Sequence, residues 1–284
     1  MKRIVVFGLG YSAKRIAAGL AADGWEVIST GRDGTLGFGD SAQVRVALAD
    51  AEAVLSSVPP DGTGTDPVLD AYGDALGAKT LVYLSSTGVY GDAGGAWVDE
   101  SAPIAGRRGG RNDADASWLA RGARVLRLPG IYGPGRSMLE RVREGRAHRI
   151  DLPGHVFSRI HVGDLADGAV RALAAPPGAY NLADDAPASQ NAVVEEACRL
   201  LGLPLPPLQA LAEAALSPAA LAFYAENRRI ANGKARRVLG WSPRYPSFRE
   251  GLAALLAGER AGDSASASPA IATTAPEPAS SDQR

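Results

Sequence analysis

The chain has 284 residues, of which 46% are hydrophobic and 21% charged, a composition typical of globular proteins. Its formal net charge of -1 argues against a broad nucleic-acid-binding surface, because such a surface needs a basic excess. A single cysteine, Cys198, excludes a disulfide framework and a CxxC metal site, and we expect its thiol to be buried and inert.

The N-terminal stretch MKRIVVFGLG has too few apolar residues before its first glycine to be a signal peptide. No segment of the sequence reaches the length of a transmembrane helix. We therefore expect a cytoplasmic protein without membrane contact.

The first half of the chain alternates short apolar runs with amphipathic stretches. This rhythm predicts an α/β fold with a doubly wound parallel sheet of the Rossmann type. The predicted strands are 3–7, 26–30, 53–57, 80–85 and 124–128, with a weaker one at 44–47, and the predicted helices include 12–22 and 67–76.

After Leu128 the pattern changes to a long glycine- and proline-rich loop, PGIYGPGR. Helices are predicted near 138–144 and 164–174, a strand at AYNLAD, and further helices up to residue 257. These elements predict a small C-terminal substrate lobe, about 132–257, over the sheet edge where open α/β sheets bind ligands. Residues 258–284 consist mainly of Ala, Ser, Pro, Thr and acids, which predicts a disordered tail.

The turn after the first predicted strand has the pattern Gly8-x-Gly10-x-x-Ala13 and leads into a predicted helix. The first glycine permits a tight turn, the second lets the backbone approach a pyrophosphate, and the small third residue allows helix and strand to pack. The pyrophosphate would lie at the positive end of the helix dipole, beside Tyr11 and Ser12. The pattern predicts a dinucleotide site.

The second predicted strand ends VISTGRD, where sites for NAD usually carry an acid that binds the ribose hydroxyls. Arg32 stands there instead and could pair with a 2′-phosphate, which favours NADP over NAD. In the alternative reading, Arg32 is an ordinary surface residue and Asp33 binds the ribose. The turn after the third strand, with Ser57 and Val58, would lie beside the adenosine half of the cofactor.

In the stretch LVYLSSTGVYGD, residues 81–92, the apolar run at its start predicts a buried strand. Hydroxyl residues follow this run at once. A parallel strand of this kind delivers polar side chains to the cleft at the carboxyl edge of its sheet. The hydroxyls of Ser85, Ser86 and Thr87 are therefore candidate site groups.

These pieces together resemble the extended short-chain dehydrogenase/reductases, or NAD-dependent epimerase/dehydratase family. The resemblance covers about residues 1–256 and is closest to the atypical, YeeZ-like members. It rests on the glycine turn and, in this order, on LSSTGVYGD, VLRLPGIYGPGR, SRIHVGDLADGAV, AYNLADD and RRIANGKARRVLGW.

The resemblance implies that Ser86 orients the substrate's hydroxyl or carbonyl, and that a Tyr of a YxxxK motif is the general acid/base. It also implies cofactor contacts from Ser85 and Pro129 and substrate contacts from Thr87 and Tyr132.

The YxxxK motif is absent. At the family's spacing, the Tyr position falls near Arg111 and the Lys position near Asp115. A guanidinium at the first position could bind an anionic substrate group but is a poor proton shuttle. None of the four lysines has a Tyr four residues before it: Lys2, Lys14, Lys79 and Lys234.

Phe157 stands where the family's sugar-nucleotide epimerases have an arginine that grips the diphosphate, so a sugar-nucleotide substrate is disfavoured. Arg136 and Arg159 could still bind a smaller anion. His161 has a structural role or serves as a base. Asp164 is predicted to cap the following helix. No spacing of acids, histidines and the cysteine predicts a metal site.

Two hypotheses remain open. The first is an NADP(H)-dependent oxidoreductase or epimerase/dehydratase-like enzyme, acting on a small carbonyl or hydroxyl substrate, whose proton donor has moved. The second is an NADP(H)-binding sensor without chemistry. By family analogy the protein could form a homodimer.

Overall fold

Twelve strands are present in the computed structural model, which describes residues 2–61, 64–214 and 216–266. They are β1 (Arg3–Phe7), β2 (Glu26–Ser29), β3 (Ala53–Ser56), β4 (Thr80–Ser86), β5 (Trp97–Val98), β6 (Arg124–Leu128), β7 (Gly130–Tyr132), β8 (Arg149–Ile150), β9 (Arg159–His161), β10 (Gly178–Asn181), β11 (Leu208–Gln209) and β12 (Arg229–Ile230).

Six of these strands form one parallel sheet in the order β2-β1-β3-β4-β6-β10. The winding direction reverses between β1 and β3, so a crevice opens at the carboxyl ends of these two strands. The predicted doubly wound α/β fold is confirmed. The remaining strands form three short parallel pairs, β5 with β12, β7 with β9 and β8 with β11.

Helices cover both faces of the sheet and build the C-terminal part of the chain. A short 3-10 turn, Thr87–Tyr90, follows β4. The α-helices are α1 (Tyr11–Ala22), α2 (Ser41–Asp50), α3 (Pro67–Tyr72), α4 (Gly109–Ala120), α5 (Met138–Arg143), α6 (Val162–Ala172), α7 (Gln190–Leu201), α8 (Pro218–Tyr224), α9 (Gly233–Leu239) and α10 (Phe248–Ser266).

The core follows from the two-residue period of the strands. In β1, Ile4 and Val6 pack on one face with α1, α6 and α9, whereas Val5 and Phe7 pack on the other face with α2, α3 and α4. All four side chains are fully buried, as expected of a strand in a sheet covered on both sides.

A third cluster of buried side chains joins α5, α7 and α10, and it includes the buried Cys198. This cluster is the centre of the predicted substrate lobe. The chain between 132 and 257 also returns to the main sheet, because β10 pairs with β6 and α6 packs against α1. The lobe is therefore not one uninterrupted segment.

Two predicted elements differ from the structure. Residues 44–47 were predicted as a weak strand but lie in α2, where Val44, Ala47 and Leu48 recur at helical spacing and pack against the sheet. Residues 258–266, predicted as disordered, continue α10, and Glu259 there forms an ion pair with Arg143. The rest of the predicted tail lies outside the described residues.

Within the described residues, none of the helices combines the length and the hydropathy needed to cross a bilayer.

Candidate functional site

The glycine turn closes tightly onto the end of β3. Gly8 has φ +82°, and a Cβ built there would lie 3.0 Å from both Ser57 Oγ and Val58 Cγ2. The Ser57 hydroxyl donates to the Gly8 carbonyl at 2.5 Å. The turn and the predicted contacts Ser57 and Val58 therefore meet at the crevice between β1 and β3.

The backbone amides of Gly8, Leu9 and Gly10 are hydrogen-bonded within the protein, whereas those at the start of α1 are free within the described residues. Gly8 N donates to Thr30 Oγ1 at 3.3 Å, Leu9 N to the Thr30 carbonyl at 2.8 Å, and Gly10 N to the Gly8 carbonyl at 2.8 Å. The first amides of α1 have no intrahelical partner, and no side chain caps this helix. A Cβ on Gly10 would meet no atom within 4 Å. This open, positively polarised end suits a pyrophosphate.

The end of β2 offers a cation rather than an acid. Lys14 donates to the Asp33 carboxylate at 2.5 Å, and this bond holds the pKa of Asp33 below its usual range. Arg32 is exposed and makes no hydrogen bond or ion pair within the described part of the chain. Of the two alternatives, Arg32 for a 2′-phosphate and Asp33 for the ribose, only Arg32 has a side chain without a hydrogen-bond or ion-pair partner among the described residues.

The carboxyl end of β4 opens into a cavity of about 720 Å³. The register of β4 and β6 pairs Ser86 with Leu128, which brings the hydroxyl strand next to the predicted contact Pro129. Six predicted site residues line this cavity, hereafter the cleft: Ser86, Thr87, Arg111, Pro129, Arg136 and Arg159. Phe157, noted above as a departure from the family pattern, lines it as well.

Ser86 is the hydroxyl that the cleft can use. Its Oγ accepts from Gly88 N at 3.1 Å, which leaves the hydroxyl proton free to be donated. Thr87, by contrast, is 4% exposed and directs its hydroxyl to the Leu128 carbonyl at 3.5 Å. Of these two hydroxyls, only that of Ser86 has a proton that is not donated within the described residues.

Ser85 is turned away from the cleft into a buried polar network. Its hydroxyl donates to Asp115 Oδ2 at 2.7 Å. The cofactor contact of Ser85 stays a prediction. Arg127 donates to both oxygens of Asp115, at 2.7 and 3.1 Å. It also donates to the Tyr90 hydroxyl at 3.0 Å, which in turn donates to Asn181 at 2.7 Å.

The Asp115–Arg127 pair is almost completely enclosed, with side chains 1% and 3% exposed. Burial alone would lower the pKa of the Arg127 guanidinium, but its hydrogen bonds to Asp115 and Tyr90 outweigh burial and raise that pKa. The Arg127 guanidinium therefore stays charged at neutral pH.

Helix α4 carries the two residues that the family's spacing predicts near its Tyr and Lys positions. Arg111 and Asp115 lie one turn apart on this helix and so share a face. Asp115 is buried against the sheet, whereas Arg111 lines the cleft and makes no side-chain hydrogen bond within the described part of the chain. The residue predicted near the Lys position thus forms an ion pair, and the residue predicted near the Tyr position lines the cleft.

The side chains of Tyr132 and Arg159 form hydrogen bonds within the C-terminal part of the chain. The Tyr132 hydroxyl donates to the Ser247 carbonyl at 3.5 Å, outside the cleft, and its substrate contact stays a prediction. The Arg159 guanidinium donates to the carbonyls of Phe157 and Ala188, each at 2.9 Å, and to Gln190 at 3.0 Å. Burial lowers the pKa of Arg159 to about 10.

His161 is the cap of α6 rather than a base. Its Nδ1 accepts from Gly163 N at 3.1 Å, and burial lowers the pKa of His161 to about 4. The imidazole is therefore neutral at physiological pH and does not line the cleft. The predicted cap, Asp164, instead accepts from the backbone amides of Arg244 and Tyr245, at 2.9 and 3.1 Å.

Several residues of the cleft were missed by sequence reasoning. Four are arginines, and Tyr224 adds a phenol from α8 whose hydroxyl makes no hydrogen bond within the described residues. Burial raises the pKa of Tyr224, against the opposing effect of Arg141 and Arg159. No group of acids, histidines and the cysteine among the described residues could hold a metal ion. The missed arginines are Arg107, Arg108, Arg141 and Arg228.

No protein-family model matches the chain. Among curated proteins, it is similar to Protein YeeZ of Escherichia coli strain K12, with 29% identity over 250 residues that cover 72% of this chain and 86% of YeeZ. It is also similar to the 3-diazoavenalumate denitrifying reductase of a Streptomyces species. That match has 27% identity over 311 residues, covering 89% of this chain and 99% of the reductase.

Among solved structures, a protein of unknown function from Silicibacter pomeroyi has 39% identity and a TM-score of 0.81, covering 91% of this chain and 99% of that one. A dTDP-glucose 4,6-dehydratase from Bacillus anthracis, solved with NAD, has a TM-score of 0.71. This match covers 93% of the present chain and 98% of the dehydratase. At 16% identity, it shows only that the two proteins share a fold.

Proposed function

Because the chain is a YeeZ-like protein of the extended short-chain dehydrogenase/reductase type, we propose that it is an NADP(H)-dependent oxidoreductase. Its substrate is a small molecule with a carbonyl or hydroxyl group at the reacting carbon. The observation that carries the proposal is the open glycine turn beside a cleft that holds a free Ser86 hydroxyl. The relatives include a reductase and an NAD-bound dehydratase, which supports a nicotinamide dinucleotide as the cofactor.

The residues of this chain fit such a cofactor at three points. The uncapped start of α1, at Tyr11 and Ser12, would hold the pyrophosphate, Arg32 the 2′-phosphate, and the walls at Val58 and Pro129 the rest of the molecule. The nicotinamide supplies hydride transfer to or from the reacting carbon. Ser86 would donate a hydrogen bond to the substrate oxygen and so orient that group.

A hydride delivered to a carbonyl carbon leaves an oxygen that must gain one proton. We assign the donor role to Tyr224, because this tyrosine lines the cleft and its hydroxyl has no hydrogen-bond partner among the described residues. After donation, the phenolate takes a proton from solvent. Arg111, at the family's Tyr position, stays protonated and does not perform this step.

Tyr224→Phe is expected to slow NADPH oxidation by about 100-fold with any accepted carbonyl substrate, while NADPH binding is unchanged. The control is Tyr245→Phe, since Tyr245 lies outside the cleft beside His161. Equal rates in the two variants would show that the proton comes from elsewhere.

Arg32→Asp is expected to weaken NADPH binding about ten-fold, because it replaces a cation beside the 2′-phosphate by an anion, and to leave NADH binding unchanged. Fluorescence titration with both dinucleotides measures this. The control is Arg45→Gln, whose side chain pairs with Asp74 away from the crevice. A protein that prefers NADH and is indifferent to Arg32→Asp would be an NAD-dependent enzyme instead.

The buried Asp115–Arg127 pair also favours a second candidate, a non-catalytic NADP(H) sensor, because it replaces part of the usual proton-transfer machinery. The two candidates differ in turnover. A broad screen of small carbonyl compounds that finds tight NADPH binding but no oxidation would support the sensor.

A further inference from the structure

The cleft has a strong excess of positive charge. Among the described residues that line it, seven are arginines and one, Glu226, carries a carboxylate. Arg107 and Arg228 both bind this carboxylate, at 3.0 and 2.6 Å, so it has little charge left to offer other cations. The cleft therefore attracts anions.

Most of the cleft arginines are occupied by the protein itself. Arg141 donates to the Arg146 carbonyl at 3.1 Å, and Arg159 donates to two carbonyls and to Gln190. Arg136 lies with its guanidinium 5.7 Å from the centre of the Tyr11 ring, on the side of the glycine turn. Arg136 also makes no hydrogen bond or ion pair with its side chain within the described residues, but it lies at the glycine-turn side of the cleft, beside the proposed cofactor.

Two arginines remain, Arg108 and Arg111, and neither makes a side-chain hydrogen bond or ion pair within the part of the chain that the structure describes. They lie at the start of α4, a 12-residue helix without a side-chain cap and without an acid in its first turn. The helix dipole adds positive potential at the same point. Asn112, the next residue, donates to the Gly106 carbonyl, and Gly106 N donates to Val89, so this end of α4 is tied to the turn that follows Ser86.

The wall around these cations is largely apolar. Phe157, with Leu128, Ile131, Val156 and Phe223, contributes aliphatic or aromatic surface to the same cleft. The Phe157 ring packs against Tyr224, with centroids 5.5 Å apart. Apart from its anionic group, a ligand that fills this space needs an apolar body.

We propose that the substrate is a small organic carboxylate with an apolar body, whose carboxylate is bound by Arg111 together with Arg108. Planar guanidinium groups match carboxylates in two-point hydrogen bonds. The assignment rests on the proposed function, since it describes the substrate end of the same cleft. On this account, the helix face that carries the proton-transfer tyrosine in related enzymes carries a substrate anchor here.

The test is calorimetric titration with 3-phenylpropionate, with its neutral amide 3-phenylpropionamide, and with inorganic phosphate, each with and without saturating NADPH. The acid is expected to bind at least about ten-fold more tightly than the amide, and more tightly than phosphate. Arg111→Gln is expected to abolish the preference for the acid, whereas Arg111→Lys retains part of it. Arg121→Gln, at the other end of α4 and outside the cleft, is expected to have no effect.

Three results would overturn the inference: equal binding of acid and amide by the unmodified protein, a preference that survives Arg111→Gln, or no binding of either compound. Phosphate that binds more tightly than the acid, in an Arg111-dependent manner, would assign a phosphorylated substrate and reject the carboxylate. Failure of the proposed function is a separate outcome. An Arg111-dependent preference for the acid in a protein that does not bind NADPH would keep the anchor and remove the oxidoreductase.

Discussion

Replacing Asp115 by alanine is expected to lower the free energy of unfolding by about 3–5 kcal/mol, because it leaves the buried Arg127 charge without its partner. Arg127 is 3% exposed and donates twice to Asp115, so water cannot take the place of the lost carboxylate. The variant also removes the acceptor of the Ser85 hydroxyl at the end of β4. Chemical denaturation of the two proteins measures the difference.

The matched control is Asp113→Ala, an exposed acid on the same helix, which is expected to change stability by less than about 0.5 kcal/mol. The double variant Asp115→Leu, Arg127→Met removes both charges together and is expected to recover most of the loss. If Asp115→Ala stayed within about 1 kcal/mol of the unmodified protein, the pair would not be the buried network described here.

Gly10→Val is expected to weaken NADPH binding by about 1,000-fold, about 4 kcal/mol, without loss of thermal stability. The backbone at Gly10 has φ -87° and ψ -166°, which any residue adopts, and an added Cβ meets no protein atom within 4 Å. The space that a valine side chain would fill is the space that the pyrophosphate needs at the start of α1. Binding and folding are therefore separable at this position.

The control for this prediction is Gly39→Val, since a Cβ on Gly39 also meets nothing within 4 Å, but at a surface turn. It is expected to change neither the melting temperature nor the affinity for NADPH. A stable Gly10→Val protein with unchanged NADPH affinity would contradict placement of the pyrophosphate at this turn.

The central strands were predictable because each is a short apolar run between turn residues. The predicted spans at 3–7 and 124–128 match β1 and β6, and the other three strong predictions end within one residue of β2, β3 and β4. Segment 44–47 was mistaken because four residues are too few to separate strand from helix spacing. Over ten residues, Val44 and Leu48 show the helical spacing of α2.

The glycine turn was also predictable, since its chemistry needs residues that are adjacent in sequence. The buried ion pair of Asp115 and Arg127 was not predictable, because its two residues come from a helix and a strand that meet only in the fold. One signal was available in the strand RVLRL, where Arg127 lies among apolar residues. A buried arginine at such a position needs a buried acid as its partner. Tyr224 had no comparable signal, as its α8 reaches the cleft through the tertiary arrangement alone.

The central claim is that this chain binds a nicotinamide dinucleotide at the glycine turn, next to the cleft that holds Ser86 and Arg111. Titration of the unmodified protein with NADPH and NADH, followed by calorimetry, tests it most directly. The account predicts saturable binding of one dinucleotide per chain, tighter for NADPH. Absence of binding for both dinucleotides at millimolar concentration would contradict it and leave the glycine turn a structural feature only.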